Sequence, residues 1–349
     1  MGAALGRQCW FDNDVFKVYP MLNLLLIGPS GIGKSTCINN LTRVLLMTLK
    51  PDEGRPAIIG SGTREKIHED LVVSPKALLI ASELANFFNK AKYMEGLIPY
   101  VTQLLDYEDE VETRTKGGGI TIIRNPSVTV IGGSTIEWLQ EQLPDSAGTG
   151  GFLARFLIIA EETKSKRVPL PGLALTPKMR VDLQVKRNKA FWEFREIISH
   201  APEGPLPLQS YEVADFFSDW YVNQKTEAGY LAPFVERSRE IVLRLSMLIA
   251  LSKYSHEIEL EDVKSAVALY NIATMRLKSV VVPMSADGKL LLAVLKTIGN
   301  QEMSYKKLYA AMASTATDRR IDALVDSHLR SGALIRTPEG NLRRNRGVY

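Results

Sequence analysis

A chain of 349 residues, 45% apolar and 23% charged, is long enough for two or three domains and has ordinary globular composition. Its two cysteines, Cys9 and Cys37, form no Cys-x-x-Cys pair, which argues against a disulfide framework or a zinc site and suits a reducing cytosol. The net charge of +4 is unevenly spread: from Gly288 to Tyr349 eleven Lys and Arg face five Asp and Glu, so this segment carries +6 and the rest −2. A basic C-terminal module points either to a polyanionic partner or to a solubilising surface. No apolar run has the length of a membrane span, since Leu22–Ile27 is interrupted by Asn23 and ends at Gly28. No long apolar segment follows Arg7 as a signal peptide requires, so a cytoplasmic location without a membrane partner is expected.

In chain order, residues 8–18 read as a hairpin, Cys9-Trp10-Phe11 and Val15-Phe16-Lys17-Val18 around Asp12-Asn13-Asp14. Met21–Ile27 is a buried strand. Lys34–Leu49 follows as a helix with Ile38, Leu41, Val44, Leu45 and Thr48 on one face, ended by Pro51. Ala57-Ile58-Ile59 is a short strand, Thr63–Leu71 a short helix, Ala77–Ala81 a fully buried strand, and Glu83–Leu105 a long helical stretch. Val111–Arg124 alternates about Gly117-Gly118-Gly119 and reads as a projecting β-hairpin. Ser127–Ile131 and Phe156–Ala160 are further core strands. This alternation from 21 to 163 predicts an α/β domain with a parallel sheet.

Pro169, Pro171 and Pro177 mark a linker, and the chain is then almost entirely helical from Lys178 to Val281. A second linker opens at Pro283-Met284-Ser285. Helices over 290–298, 305–313 and 317–331, then two strands about Pro338-Glu339-Gly340-Asn341, have the layout of a winged helix-turn-helix. The expected division is a lead-in hairpin over 1–20, an α/β core over 21–165, a helical lid over 166–284 and a winged helix over 285–349. His68, His200, His256 and His328 have no ligand spacing and are assigned no role. Trp138, Trp192 and Trp220 sit in helical patterns and are expected in the core.

Gly28-Pro29-Ser30-Gly31-Ile32-Gly33-Lys34-Ser35 follows a buried strand and opens a helix, the context that makes a Gly-x-x-x-x-Gly-Lys-Ser run a phosphate-binding P-loop. Its backbone amides and the helix N-terminus attract phosphate. Pro29, Ser30, Gly31, Ile32, Gly33 and Thr36 join Lys34, which reaches the β- and γ-phosphates, and Ser35, whose hydroxyl ligates Mg²⁺. ATP and Mg²⁺ are the expected ligands. Glu83, ending Leu78-Leu79-Ile80-Ala81-Ser82-Glu83, is the candidate carboxylate for the metal and the attacking water, or else a helix N-terminal acid favoured by the dipole. Ser82 stands where an Asp is usual and supplies no charge for the metal.

The order of these motifs resembles the AAA+ ATPase motors of replicative helicases in the minichromosome maintenance branch, and most closely the reduced relatives carried by phages, plasmids and chromosomal islands. Several segments carry the match, which runs from about 21 to 281, where Glu261-Asp262-Val263 opens the last lid helix, and more loosely through the winged helix. Thr115-Lys116-Gly117-Gly118-Gly119-Ile120 is similar to the pre-sensor hairpin, whose tip lysine touches DNA. Ser127–Thr135 is similar to the sensor-1 strand, with Ser134 or Thr135 as the polar end. Gly150–Phe156 resembles the arginine-finger segment. Arg237–Leu245 resembles the sensor-2 helix of the lid.

The resemblance implies Arg155 as a finger reaching a neighbour's nucleotide, although a surface arginine pairing with Glu161 or Glu162 fits the residues too. It implies Arg237 at the sensor position, with Arg239 as rival. Arg114 and Lys116 are placed to meet a phosphate backbone, unless the tip lysine serves solubility alone. In the winged helix, Arg319, Arg320, Arg343 and Arg344 are the candidate DNA contacts, alongside Arg336 and Arg346. The expected protein is an ATP-driven DNA translocase working as a homo-hexamer, with a separate loader, initiator or primase as partner. An ATP-switched DNA-binding initiator or regulator is the rival. A generic P-loop enzyme such as a kinase is disfavoured by the C-terminal layout.

Overall fold

A computed structural model describes residues 1–50, 55–60, 62–84, 96–115, 119–142, 151–164, 175–225, 231–281, 286–299, 301–313, 315–330 and 334–345. The chain divides into two compact units, Met1–Leu277 and Lys278–Tyr349. Among the described residues no helix is long and apolar enough to cross a membrane.

The first unit opens with a short helix, α1 (Gly2–Leu5), and the antiparallel pair β1 (Cys9–Asp12) and β2 (Lys17–Val18), as the alternating residues predict. The sheet then begins with β3 (Asn23–Ile27), followed by α2 (Lys34–Thr48), β4 (Ala57–Ile59), α3 (Arg64–Val73), β5 (Lys76–Ala81) and α4 (Leu97–Leu104). Of the stretch expected to be one helix over 83–105, residues 85–95 lie outside the described ones. An antiparallel hairpin of β6 (Glu110–Thr115) and β7 (Gly119–Arg124) leads to β8 (Ser127–Ser134), α5 (Ile136–Gln142), a 3₁₀ turn at Leu153–Arg155 and β9 (Phe156–Ala160).

Five of these strands form one parallel sheet in the order β4-β5-β8-β3-β9. The architecture is mixed α/β, as the alternation of buried strands and helices predicts. The chain enters at β3, crosses to the β4 edge, returns through β5 and β8, and finally adds β9 on the far side of β3. The crossover leaving β3 runs toward the β4 edge and those leaving β4, β5 and β8 run the opposite way, so the switch point lies beside β3, where an open parallel sheet has its crevice at the carboxyl ends of the strands.

The strands hold together because both faces are covered. Leu25 and Ile27 on β3 are 1% and 2% exposed, and burying each contributes about 1.5–3 kcal/mol. Asn23 is the polar exception on that strand. Its Oδ1 accepts from the Val130 amide at 2.9 Å and its Nδ2 donates to the Arg155 carbonyl at 3.3 Å, so a fully buried amide joins three segments.

After β9 come α6 (Pro177–His200), β10 (Gly204–Pro205), α7 (Tyr211–Val222), α8 (Ala232–Ser252) and α9 (Leu260–Thr274). This stretch is mostly helical, as expected, and its one short strand, β10, pairs in parallel with β1. Pro177 is part of α6, where a proline in the first turn removes no helical hydrogen bond; Pro169, Pro171 and the linker at 283–285 lie outside the described residues. Helices α8 and α9 cover β9 through Ile241, Val242, Leu245 and Ala266 against Leu157. Phe194 and Ile198 of α6 pack on Leu45 and Leu49 at the end of α2.

Leu41, placed on the apolar face of α2, is 45% exposed, and Trp192 on α6, expected in the core, is 66% exposed. Helix α6 buries no residue fully, because only its C-terminal half meets other apolar side chains. Trp220 does pack, beside Tyr270 and Phe217.

Helix α10 (Leu277–Val281) spans the division between units. The second unit contains α11 (Ala286–Ile298), α12 (Tyr305–Met312), α13 (Asp318–Arg330) and the antiparallel strands β11 (Leu334–Arg336) and β12 (Leu342–Arg344). Its core is Val294, Ile298, Leu308, Ile321, Val325 and Leu342. The order of three helices and a β-ribbon is the one expected from the sequence.

Candidate functional site

The loop between β3 and α2 lies at the carboxyl edge of the sheet. Gly33 caps α2 with φ of 114°, a backbone conformation that a side chain strains, which explains glycine at this position. The Lys34 ammonium turns back and donates to the Gly28 carbonyl at 2.6 Å and the Pro29 carbonyl at 3.0 Å. Burial lowers its pKa, while the negative charges of Glu83 and Glu137 act in the opposite direction.

A cleft of about 360 Å³ opens over this loop. It is lined by Ser30, Gly31, Gly33, Lys34, Ser35 and Thr36 on one side, and by Glu83, Ser134, Thr135 and Trp138 on the other. Glu83 and Ser134 arrive here because β5 and β8 are neighbours in the sheet, both ending at the same edge as β3. The close fit depends on Gly133: a Cβ there would stand 2.7 Å from the Ser82 carbonyl oxygen and 3.6 Å from Lys34 Cβ.

The polar ends of β8 divide their tasks. The Thr135 hydroxyl accepts from the Trp138 amide at 3.2 Å and so caps α5, while the buried Ser134 hydroxyl donates to the Thr135 carbonyl at 3.1 Å. Trp138, expected in the core, lines the cleft. Of the oxygens lining the cleft, the Ser35 hydroxyl and the Glu83 carboxylate are the candidate metal donors. Two hard oxygens suit a magnesium ion whose other positions are filled by water and substrate phosphate oxygens, and no larger set of His, Cys, Asp and Glu assembles among the described residues.

Arg155 and Arg237 do not line this cleft. They meet at Asp106, which follows α4. Arg155 grips that carboxylate with two nitrogens, Nε at 2.9 Å from Oδ1 and Nη2 at 2.7 Å from Oδ2, and its Nη1 donates to the Gly151 carbonyl at 2.8 Å. The Arg155 side chain is only 8% exposed, and its partner is Asp106 rather than Glu161, which pairs with Arg276. Arg237 stands 3.8 Å from Asp106 and 3.9 Å from Glu240. Burial and the neighbouring Arg155 charge lower its pKa, with Glu240 and Asp106 opposing.

Arg244, one turn of α8 further from Glu240, pairs with that acid at 3.2 Å and donates to the Met21 carbonyl at 3.1 Å. Asp106, Arg237, Glu240 and Arg244 share a second cleft of about 510 Å³ with Phe16 and Lys17. Sequence reasoning missed Asp106, a single acid in a turn without any motif around it.

The β6–β7 hairpin is fixed at its root and flank. Arg7 donates to the Tyr107 carbonyl at 2.7 Å, to the Pro126 carbonyl at 3.2 Å, and to Asp109 and Asn125 at 2.8 and 3.3 Å. His68, 4% exposed on α3, meets the Thr121 hydroxyl at 2.8 Å and that of Thr113, its cross-strand partner, at 3.2 Å. The Tyr100 hydroxyl completes the set at 2.9 Å. Arg114 belongs to β6, whereas the hairpin tip with Lys116 lies outside the described residues.

In the second unit, Arg319 and Arg320 are exposed in the first turn of α13, Arg343 is exposed on β12, and Arg344 ends that strand. Arg336 donates to the Tyr305 hydroxyl at 2.8 Å and lies over its ring, and Arg346 falls outside the described residues. No family model matches the chain, and no curated protein matches it.

Proposed function

We propose that this chain is an ATP-hydrolysing motor of the AAA+ type, a ring-forming DNA helicase or translocase serving replication of a phage or mobile element. One observation carries the reading: Lys34, Ser35, Glu83 and Ser134 converge on one cleft at the switch point of the parallel sheet. Backbone amides of Gly31 and Gly33 and the start of α2 would hold phosphate, with Lys34 leaving the Gly28 and Pro29 carbonyls for the β- and γ-phosphate oxygens. Ser35 and Glu83 would hold Mg²⁺, which supplies charge neutralisation at those oxygens. Glu83 also orients the attacking water, and Ser134 hydrogen-bonds near the γ-phosphate. Arg155 and Arg237 serve the nucleotide of an adjacent subunit in a hexamer.

The β6–β7 hairpin, with Arg114 and Lys116, contacts single-stranded DNA in the channel. The winged-helix reading of the second unit rests on its helix order, its paired β11 and β12, and the exposed arginines of α13 and β12; Arg319, Arg320, Arg343 and Arg344 would meet duplex DNA there. A separate loader, initiator or primase completes the replication apparatus.

The test is ATP hydrolysis and strand displacement, with and without single-stranded DNA, for wild type, Lys34→Ala, Arg155→Ala and Lys116→Ala. DNA-stimulated hydrolysis disappears in the first two variants and unwinding in all three. Mixing Lys34→Ala with Arg155→Ala subunits restores part of the hydrolysis, because an intact site can form between them. A mixture that stays inactive rules out the shared site.

Ser82 favours a second reading, an ATP-switched DNA-binding initiator or regulator. Without an Asp at that position the metal is held by less charge, and slow hydrolysis suits a switch. Tight sequence-specific binding without unwinding selects it.

A further inference from the structure

Arg155 is turned into its own chain. Its guanidinium donates through Nε and Nη2 to Asp106 at 2.9 and 2.7 Å, and through Nη1 to the Gly151 carbonyl at 2.8 Å. All three nitrogens are thus engaged, and the side chain is only 8% exposed. The backbone beneath it is fixed as well. Phe152, Leu153 and Ala154 are buried, and Asn23 Nδ2 donates to the Arg155 carbonyl at 3.3 Å.

Arg237 faces the same carboxylate on looser terms. It stands 3.8 Å from Asp106 and 3.9 Å from Glu240, makes no hydrogen bond among the described residues, and is 29% exposed. Gly151 lets the two guanidiniums share this corner: a Cβ there would lie 3.2 Å from Arg155 Nη1 and 3.9 Å from Arg237 Nε. One carboxylate therefore meets two arginines, closed on the first and open to the second.

A carboxylate that grips a guanidinium with both oxygens presents the same fork as a phosphate does. We propose that Asp106 is a positioning residue that latches Arg155 in a withdrawn state, taking in the free subunit the place of a neighbour's nucleotide phosphate. The proposal rests on the shared-site reading above and adds its regulation.

Release needs only a side-chain swing, since the turn at Leu153–Arg155 keeps its burial and its bond to Asn23. A triphosphate offers the fork more charge and more oxygens than one carboxylate does. Asp106, 38% exposed, returns to water with Arg237 already beside it. Arg237 then has that carboxylate to itself, with donors left over for the phosphate. A subunit without a neighbour keeps its finger folded away, so engagement is tied to a filled site across the interface.

Mixed subunits isolate the latch. A Lys34→Ala chain hydrolyses no ATP of its own, so beside an Arg155→Ala chain it contributes only the finger. Adding Asp106→Asn to the Lys34→Ala chain removes the charge and one of the two acceptors that hold Arg155. The mixture then hydrolyses ATP at least about threefold faster than the parent mixture at equal subunit concentration, as a charge-assisted pair has been weakened. The gain disappears when the donor chain also carries Arg155→Ala. Thermal midpoints are recorded for every variant, and Asp106→Ser makes the same comparison should Asp106→Asn not fold.

A rate equal to that of the parent mixture, or below it, overturns the latch and leaves the shared site standing, with Asp106 a structural anchor. A gain that persists without Arg155 in the donor also overturns it, because Asp106 then acts through another group. If both mixtures stay inactive while wild type hydrolyses ATP, the shared site fails and the latch with it. A wild type without hydrolysis overturns the motor reading as well.

Discussion

Asp106 is the shared carboxylate of Arg155 and Arg237, bidentate to the first and 3.8 Å from the second. Its neighbour Tyr107 holds a left-handed backbone with φ of 56°, its ring lying under the Arg244 guanidinium at 5.0 Å. One short turn therefore sets the positions of three arginines.

Asp106→Ala leaves the nearly buried Arg155 with a single carbonyl partner. Because Asp106 is itself 38% exposed, solvent softens the loss, and the expected cost is about 1–3 kcal/mol. Asp106→Asn, which keeps one acceptor, costs less. Urea denaturation of both variants checks the ranking; equal midpoints for wild type and Asp106→Ala refute it.

Gly133→Ala forces a Cβ to 2.7 Å from the Ser82 carbonyl oxygen. Two backbone segments have to part, at a cost of about 1–3 kcal/mol, and the wall of the Lys34 cleft shifts with them. Gly60→Ala is the control, since nothing stands within 4 Å of its added Cβ. Calorimetry should show a lower midpoint for the first variant only, and a fluorescent ATP analogue should bind it more weakly.

His68 titrates below its ordinary 6.5 because burial disfavours the cation and Arg64 adds a like charge. The unfolded chain therefore takes up a proton first as the pH falls. The stability from a neutral His68 is complete above about 6.5 and declines as the pH drops below that value. His68→Gln, which retains hydrogen-bonding groups but not the titration, has a flatter profile between pH 7 and 5. Denaturation of the two proteins across that range measures the difference, and parallel profiles exclude His68 as its source.

Ser82→Asp adds a carboxylate next to Glu83. If metal retention limits hydrolysis, the variant reaches half its maximal rate at a lower Mg²⁺ concentration than wild type. A Mg²⁺ titration of the ATPase rate tests this. No shift means that the missing charge is not what limits the site.

The parts legible in the sequence are those written as local patterns. Hydrophobic runs gave the sheet strands, and the glycine spacing with its strand and helix singled out the loop at Lys34. Strand order was not legible, because nothing within β5 or β8 states which neighbour it takes; the convergence of Glu83 and Ser134 on Lys34 follows only from that order. The exposure of Leu41 and Trp192 was not legible, since periodicity identifies an apolar face without saying whether anything covers it. Asp106 escaped because its partners lie 49 and 131 positions away along the chain. His68 was passed over for lacking metal-ligand spacing, yet its two ring nitrogens fit a cross-strand threonine pair and a tyrosine.

Arg7 clasps both roots of the β6–β7 hairpin, Tyr107 and Asp109 on one side and Asn125 and Pro126 on the other. Both roots are thereby tied through one side chain to the N-terminal segment, so in the proposed motor a push on the hairpin would be passed to that segment rather than taken up at the root.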